Sequence, residues 1–144
     1  YQNKLDFLAA LRAYLAAERV EDPQAQIMLV GDWNIAPRDE DVWDIDLFAG
    51  RTHVSAPERA AFNALLEDGF EEVTRGRDDN YTYWDYQQLR FPRNEGMRID
   101  FVLASPPLAE RITGAEIDRN ERKGPGASDH VPVIVDIDED WMRF

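Results

Sequence analysis

Cysteine is absent from this chain, which excludes a disulfide framework and any thiolate metal site and is compatible with a reducing, cytoplasmic setting. Apolar runs near the length needed to span a bilayer are also missing, as is a signal-peptide pattern, so a soluble chain with no membrane association is expected. Internal repeats and low-complexity tracts are not found. Positive charge is scarce: 16 Lys and Arg stand against 29 Asp and Glu, giving a net charge of −13 at pH 7. That balance argues against a general nucleic-acid coat, because phosphate is normally met by a basic surface. What remains is one domain's worth of chain, 144 residues, long enough to bury a sizeable core. It begins at Tyr1 rather than Met, as a fragment or trimmed chain would.

The charge is unevenly spread. Residues 87–124 hold seven Lys or Arg and six Asp or Glu, a net of +1 that leaves −14 for the rest. Much of the acid lies at Asp39, Glu40, Asp41, Asp44 and Asp46, a run read as a solvated loop near the site rather than as a metal site.

Chemistry concentrates at three places. Ile27-Met28-Leu29-Val30 reads as a short buried strand ended by Gly31, with Asp32 and Asn34 beyond it; in extended backbone the two would share a side. A carboxylate and an amide so placed suit a hard cation, a water or a phosphate oxygen. The plainer alternative is a strand-end Asx turn. Arg98 to Ala104 is a second apolar run holding one carboxylate, Asp100, which needs a partner if buried. Ser128-Asp129-His130 precedes a third run, residues 131–137. Together these strand ends make a plausible metal-assisted hydrolytic centre. In it Asp32 orients or deprotonates a water, Asn34 holds water or a phosphate oxygen, and His130 donates to the phosphate, which requires a pKa raised by a nearby carboxylate.

The other elements follow from periodicity. Residues 3–19 read as an amphipathic helix with Leu5, Leu8, Leu11 and Leu15 on one face, ended by Glu21-Asp22-Pro23. Helix followed by buried strand is an α/β signal. Ser55-Ala56-Pro57-Glu58 is a capping box opening a helix that Gly69 closes, with no function expected there and with His53 ahead of it as a solvated loop residue. Residues 70–74 form a candidate strand with Val73 inward, and residues 75–80 are turn-rich. Tyr81, Tyr83, Trp84 and Tyr86 form either an aromatic strand or a wall for a nucleotide or sugar. Residues 87–96 form a polar loop in which Gln87, Arg90 or Arg93 could meet phosphate or probe a minor groove. A turn and short helix at 105–110, an edge strand at 115–118, a mobile Gly-rich loop at 120–127, a strand at 131–137 and a tail at 138–144 complete the chain.

GDWN, MRIDFVLAS and SDHVPV, in that order, resemble the three C-terminal signature blocks of the endonuclease/exonuclease/phosphatase superfamily, and the Tyr81–Tyr86 run is similar to that of its exonuclease III branch of abasic-site endonucleases. The resemblance covers nearly the whole chain. It implies a four-layer α/β sandwich of which residues 1–144 form the C-terminal half, with one mostly antiparallel or mixed sheet and helices on its outer face. It implies metal-dependent phosphodiester hydrolysis in DNA repair, both abasic-site incision and 3′ exonuclease action, using magnesium with manganese as the alternative. Asp100 becomes the partner of the His130 imidazole, and Asp129 joins Asp32 and Asn34 on the metal side. Tyr83, Trp84, Met97 and Ile99 become the walls of a pocket for a sugar lacking its base. The partner is duplex DNA with abasic sites or 3′ ends. The superfamily's glutamate metal ligand, an Asn and a catalytic Tyr belong to N-terminal blocks that this chain does not contain. The chain alone is then weak or inactive, and self-association or complementation by an N-terminal half is expected. A superfamily phosphatase or phosphodiesterase acting on a lipid or small-molecule phosphate, and a non-catalytic DNA-binding module, are the alternatives.

Overall fold

Helix α1 spans Gln2–Glu21 in the computed structural model, which describes residues 1–139. It obeys the leucine stripe: Leu8 and Leu15 are buried and Leu5 and Leu11 partly so. Its C-cap, Asp22, is extended, as the residue before a proline tends to be. The stripe packs against α3 (Ala56–Glu67), where Phe62 and Leu65 share its core with Phe101 and Leu103. The Ser55 capping box forms as read, with Glu58 at its third helical position, and Gly69 closes the helix with φ 105°.

Strand β1 (Met28–Asp32), the two-residue β2 (Glu71–Glu72) and β3 (Asp100–Ala104) form an antiparallel sheet in the order β1-β3-β2. Gly31 does not end the strand: pairing continues through it, Gly31 opposite Phe101 and Asp32 opposite Asp100. Its φ of 133° is a conformation that a side chain disfavours. After the short helix α4 (Pro106–Ala109), β4 (Ile112–Ile117) and β5 (Val133–Ile137) form a second antiparallel sheet. The described residues thus hold two small sheets rather than one. Val133 and Val135 of β5 pack beside Val102, Ala104 and Ile112, which joins the sheets through one apolar cluster.

Several segments differ from the reading. β4 starts at Ile112 rather than at 115 because Ile112 pairs with Ile137 across a bulge. The aromatic segment is no strand; only Tyr83 makes bridges, to Met97 and to His130. The acidic run is not wholly solvated. Asp39–Asp41 is a 3₁₀ turn, and Asp41 is buried because Arg75 grips both its oxygens at 2.9 and 3.0 Å. Ile45–Phe48 forms a one-turn helix, α2, capped by Asp44. A 3₁₀ turn, Arg119–Arg122, overlaps the start of the 120–127 loop. The tail expected at 138–144 lies, from residue 140 on, outside the described residues. Among the described residues no helix is long and apolar enough to cross a membrane.

Candidate active site

Directly opposed residues of an antiparallel pair put their side chains on one face, so the Asp32–Asp100 register brings two carboxylates together at the end of β1 and β3. His130 is delivered to the same point by the bridge to Tyr83, whose ring lies 5.1 Å from the imidazole. His130 Nδ1 is 2.8 Å from Asp100 Oδ2, and Nε2 is 3.6 Å from Asp32 Oδ2. Thr82, wholly buried, accepts the backbone N–H of Ile99 and of Asp100 through its hydroxyl, which fixes the start of β3.

The charges follow from this packing. Burial works against the imidazolium of His130, but the hydrogen bond to Asp100 and the negative charges of Asp100, Asp32 and Asp129 prevail and hold its pKa above 6.5. Asp100 is pushed above the usual carboxylate value, chiefly by burial and also by Asp32, against the hydrogen bonds from Thr82 and His130. Both shifts favour keeping a proton on the pair. When protonated, the imidazole, with Nε2 3.6 Å from Asp32 Oδ2, is a donor suited to a phosphate oxygen.

Asn34 is reached by a turn. Its backbone takes φ 51° and its N–H donates to Asp32 Oδ1 at 2.9 Å, so the extended geometry stops short of it and the Asx turn is real. The turn also fixes the Asp32 carboxylate. Beneath it, the Asn34 carbonyl accepts from Lys4 Nζ and is 2.7 Å from His53 Nδ1. Lys4 in turn pairs with the buried Glu58 at 2.5 Å. Burial alone would raise the Glu58 carboxyl; hydrogen bonds from Lys4, Ser55 and the His53 backbone overcome it and set a pKa of about 2. The capping box and His53, assigned no role from the sequence, thus brace the site from behind, a link that only tertiary proximity reveals.

Asp32, Asp100 and His130 offer ligand atoms lying within 4.8 Å of one another. The carboxylates of Asp32 and Asp100 are the donor chemistry that a hard divalent cation takes, so these two would hold such an ion, which would supply charge neutralisation at a phosphate, whereas His130 could join them only as the neutral imidazole. Asp129 and Asn34 are not in that group. The Asp129 backbone carbonyl accepts from Trp84 N–H at 3.0 Å, and its carboxylate acts on His130 through charge.

A cavity of about 260 Å³ opens beside the centre, lined by Tyr83, Met97 and Arg90 together with Trp43, Leu47 and Phe48. Tyr83, Met97 and Arg90 were named from the sequence; the other three were missed. Their signal was the apolar spacing of Trp43, Ile45, Leu47 and Phe48 through the acidic run. Arg90 is tied to Glu95 and lies over the Trp43 ring at 4.8 Å, so it forms wall rather than a free phosphate contact. Ile99 is 2% exposed and lies under the cavity floor in the cluster of Met97, Val42 and Ala36. Trp84 corrects the reading of that wall. It is 0% exposed, packed edge-on against Tyr81 and Phe91 with its indole N–H on Asn94, so it supports the wall and offers no face to a substrate. Gln87 and Arg93 are exposed on the loop outside the cavity lining. Gly96 lets this region close: a Cβ there would lie 2.6 Å from Trp84 Nε1 and 2.7 Å from the Tyr83 carbonyl.

Known proteins resemble this chain in sequence and in fold. Exodeoxyribonuclease III of Haemophilus influenzae is 34% identical over 154 residues, covering 100% of this chain and 54% of that protein. An exodeoxyribonuclease of Bacillus subtilis is 32% identical and covers 78% of the chain and 44% of itself. An AP endonuclease structure from Archaeoglobus fulgidus superposes with a TM-score of 0.86 at 34% identity over 96% of the chain and 55% of its own. A 3′-5′ exonuclease structure from Neisseria meningitidis superposes at 0.84 and 33% identity, covering 92% and 52%. The chain spans about half the length of these relatives. The family model for the endonuclease/exonuclease/phosphatase family matches residues 7–130, and with the Asp32–His130–Asp100 centre inside that span, the chain belongs to this family.

Proposed function

We propose that this chain supplies the C-terminal half of a metal-dependent DNA phosphodiesterase that incises at abasic sites and trims 3′ ends. The observation that carries the reading is His130 held between Asp100 and Asp32, beside a cavity with an aromatic wall. Asp32 orients the attacking water, His130 donates to the non-bridging phosphate oxygen and Asp100 keeps the imidazole charged. Asn34 holds a water or phosphate oxygen, and Asp129 adds negative charge on the metal side, magnesium or manganese being the ion. Tyr83 and Met97 receive a sugar without its base, which a full nucleotide would overfill; Gln87 and Arg93 meet the flanking backbone. The printed names of the relatives, exodeoxyribonuclease III and AP endonuclease, support this substrate class.

The chain alone has little or no activity on this reading. Strand β1 is a sheet edge with Val30 66% exposed, and Phe7 beside it is 64% exposed. A cavity of about 530 Å³ lies along that edge and one of about 410 Å³ runs between β1 and β5. Such a surface is suited to cover by an N-terminal half that completes the sandwich, or by a second copy. The test is a substrate panel with magnesium and with EDTA, offered to the chain alone and to the chain mixed with the N-terminal half of a relative. Expected is metal-dependent incision of an abasic duplex only in the mixture. Turnover of a phosphoinositide or sphingomyelin in its place would overturn the reading.

A further inference from the structure

The catalytic reading leaves unused the basic segment Arg119–Lys123. Elsewhere the chain's cations are mostly matched to carboxylates: Lys4 to Glu58, Arg12 to Asp68, Arg59 to Asp39, Arg75 to Asp41, Arg98 to Asp79. Arg119, Arg122 and Lys123 have no carboxylate partner among the described residues. Three cations on one turn held out of ion pairs, in a chain of net −13, can meet an outside anion.

The cluster is also built. Arg119 lies over the rings of Phe91 at 4.2 Å and Trp84 at 5.4 Å. Arg122 lies over Tyr86 at 4.9 Å and Phe91 at 5.4 Å, and its guanidinium donates to the carbonyls of Trp84 and Asp85 at 3.2 and 3.3 Å. Tyr86 closes the arrangement by donating its hydroxyl to the Ala127 carbonyl at 3.0 Å. Alternating cations and rings hold two exposed segments together without neutralising the charge. Between them is a cavity of about 330 Å³ lined by Tyr86, Leu89, Phe91, Arg122 and Lys123 among others. Three acids share the ledge, Asp118 capping the turn, Glu121 within it and Asp85, whose carboxylate accepts the Gln87 N–H. Residues 119–123 still carry a net positive charge.

The position matters. Trp84, whose carbonyl Arg122 holds, donates its N–H to Asp129 next to His130, so the ledge is one residue pair removed from the catalytic centre. Asp85 and Arg90 line both this cavity and the one assigned to the sugar, so the two adjoin.

We propose that this ledge is a second nucleic-acid contact, in which Arg122 and Lys123 take the phosphodiester backbone of a strand leaving the catalytic centre and Tyr86 and Leu89 take the sugar edge. The inference rests on the reading above that the chain works on DNA. Its chemistry is that of single-strand grooves, where a basic track is interleaved with aromatic faces.

The test is fluorescence anisotropy of a labelled duplex with a single-stranded overhang, in EDTA so that nothing is cleaved, as a function of salt. Heparin is titrated in parallel. Each phosphate contact contributes about 0.9 to the slope of log affinity against log salt on duplex and about 0.7 on a single strand. Arg122→Gln with Lys123→Gln is expected to lower that slope by roughly 1.4 to 1.8 and to weaken DNA binding more than heparin binding. Because Arg122 also braces two carbonyls, Lys123→Gln alone, at an exposed position, serves as the folding-neutral variant and should lower the slope by about 0.7 to 0.9. An unchanged slope in both folded variants overturns the ledge, as does equal loss of DNA and heparin affinity or absence of any DNA binding by the chain. Binding that depends on the ledge, with no incision in the complemented enzyme, keeps the ledge and removes the catalytic reading; incision with an unchanged slope does the reverse.

Discussion

Asp32 and Asp100 are register partners at the end of β1 and β3, and the His130 imidazole bridges them, 2.8 Å from one and 3.6 Å from the other. Asp100→Asn removes the hydrogen bond and charge that most counter burial of the imidazolium, so the His130 pKa should fall from its raised position. NMR titration of the imidazole measures it, and a value unchanged from wild type would contradict the pairing.

The same shift sets a pH dependence. A His whose folded pKa is raised contributes stability that is complete below its ordinary value of 6.5 and is lost as pH rises through the folded value. Chemical denaturation of wild type should therefore show a decline as pH rises above 6.5 that His130→Gln lacks.

Glu58 acts in the opposite direction. Its carboxyl is lowered from 4.5 to about 2, so its contribution, up to about 3 kcal/mol at 1.36 kcal/mol per unit, is present above 4.5 and is lost as pH falls through the folded value. Glu58→Gln should unfold at higher pH in an acid titration followed by circular dichroism. Since Lys4 also holds the Asn34 carbonyl, the amide signals of Asn34 should move in both Glu58→Gln and Lys4→Met.

Gly96→Ala places a methyl group 2.6 Å from Trp84 Nε1 and 2.7 Å from a backbone carbonyl. Overpacking of this kind costs about 1–3 kcal/mol. Urea denaturation should show that loss, and Trp84 emission should shift to the red as the indole gains water.

A divalent cation held by Asp32 and Asp100 beside His130 should announce itself without turnover. Manganese at low stoichiometry is expected to broaden the resonances of these residues first, and Asp32→Asn should weaken the effect. Broadening centred on Asp39–Asp41 instead would move the site.

The sequence made the centre legible because its blocks are local. Asp32, Asp100 and His130 each sit at the end of an apolar run, and a run's end is where a side chain leaves the core. The leucine stripe of α1 and the Ser55–Glu58 capping box were legible for the same reason, being patterns within a few residues. What failed was non-local. Gly31 looked like a stop but is carried through by its pairing with Phe101. Trp84 looked like an open wall of the sugar pocket and is buried, because Phe91, Ile117 and Val131 pack around it. Asp41 looked solvated until Arg75 was seen to hold it. Lys4 and His53 met Asn34 only through the packing of α1 and α3.

The most direct test is single-turnover incision of an abasic duplex in magnesium by the chain complemented with an N-terminal half, comparing wild type with Asp32→Asn. Loss of water activation should slow incision by about 10²–10⁴-fold while DNA binding, measured in EDTA, is retained. An Asp32→Asn rate within a few-fold of wild type would place the chemistry elsewhere and contradict the assignment of the Asp32–His130–Asp100 centre.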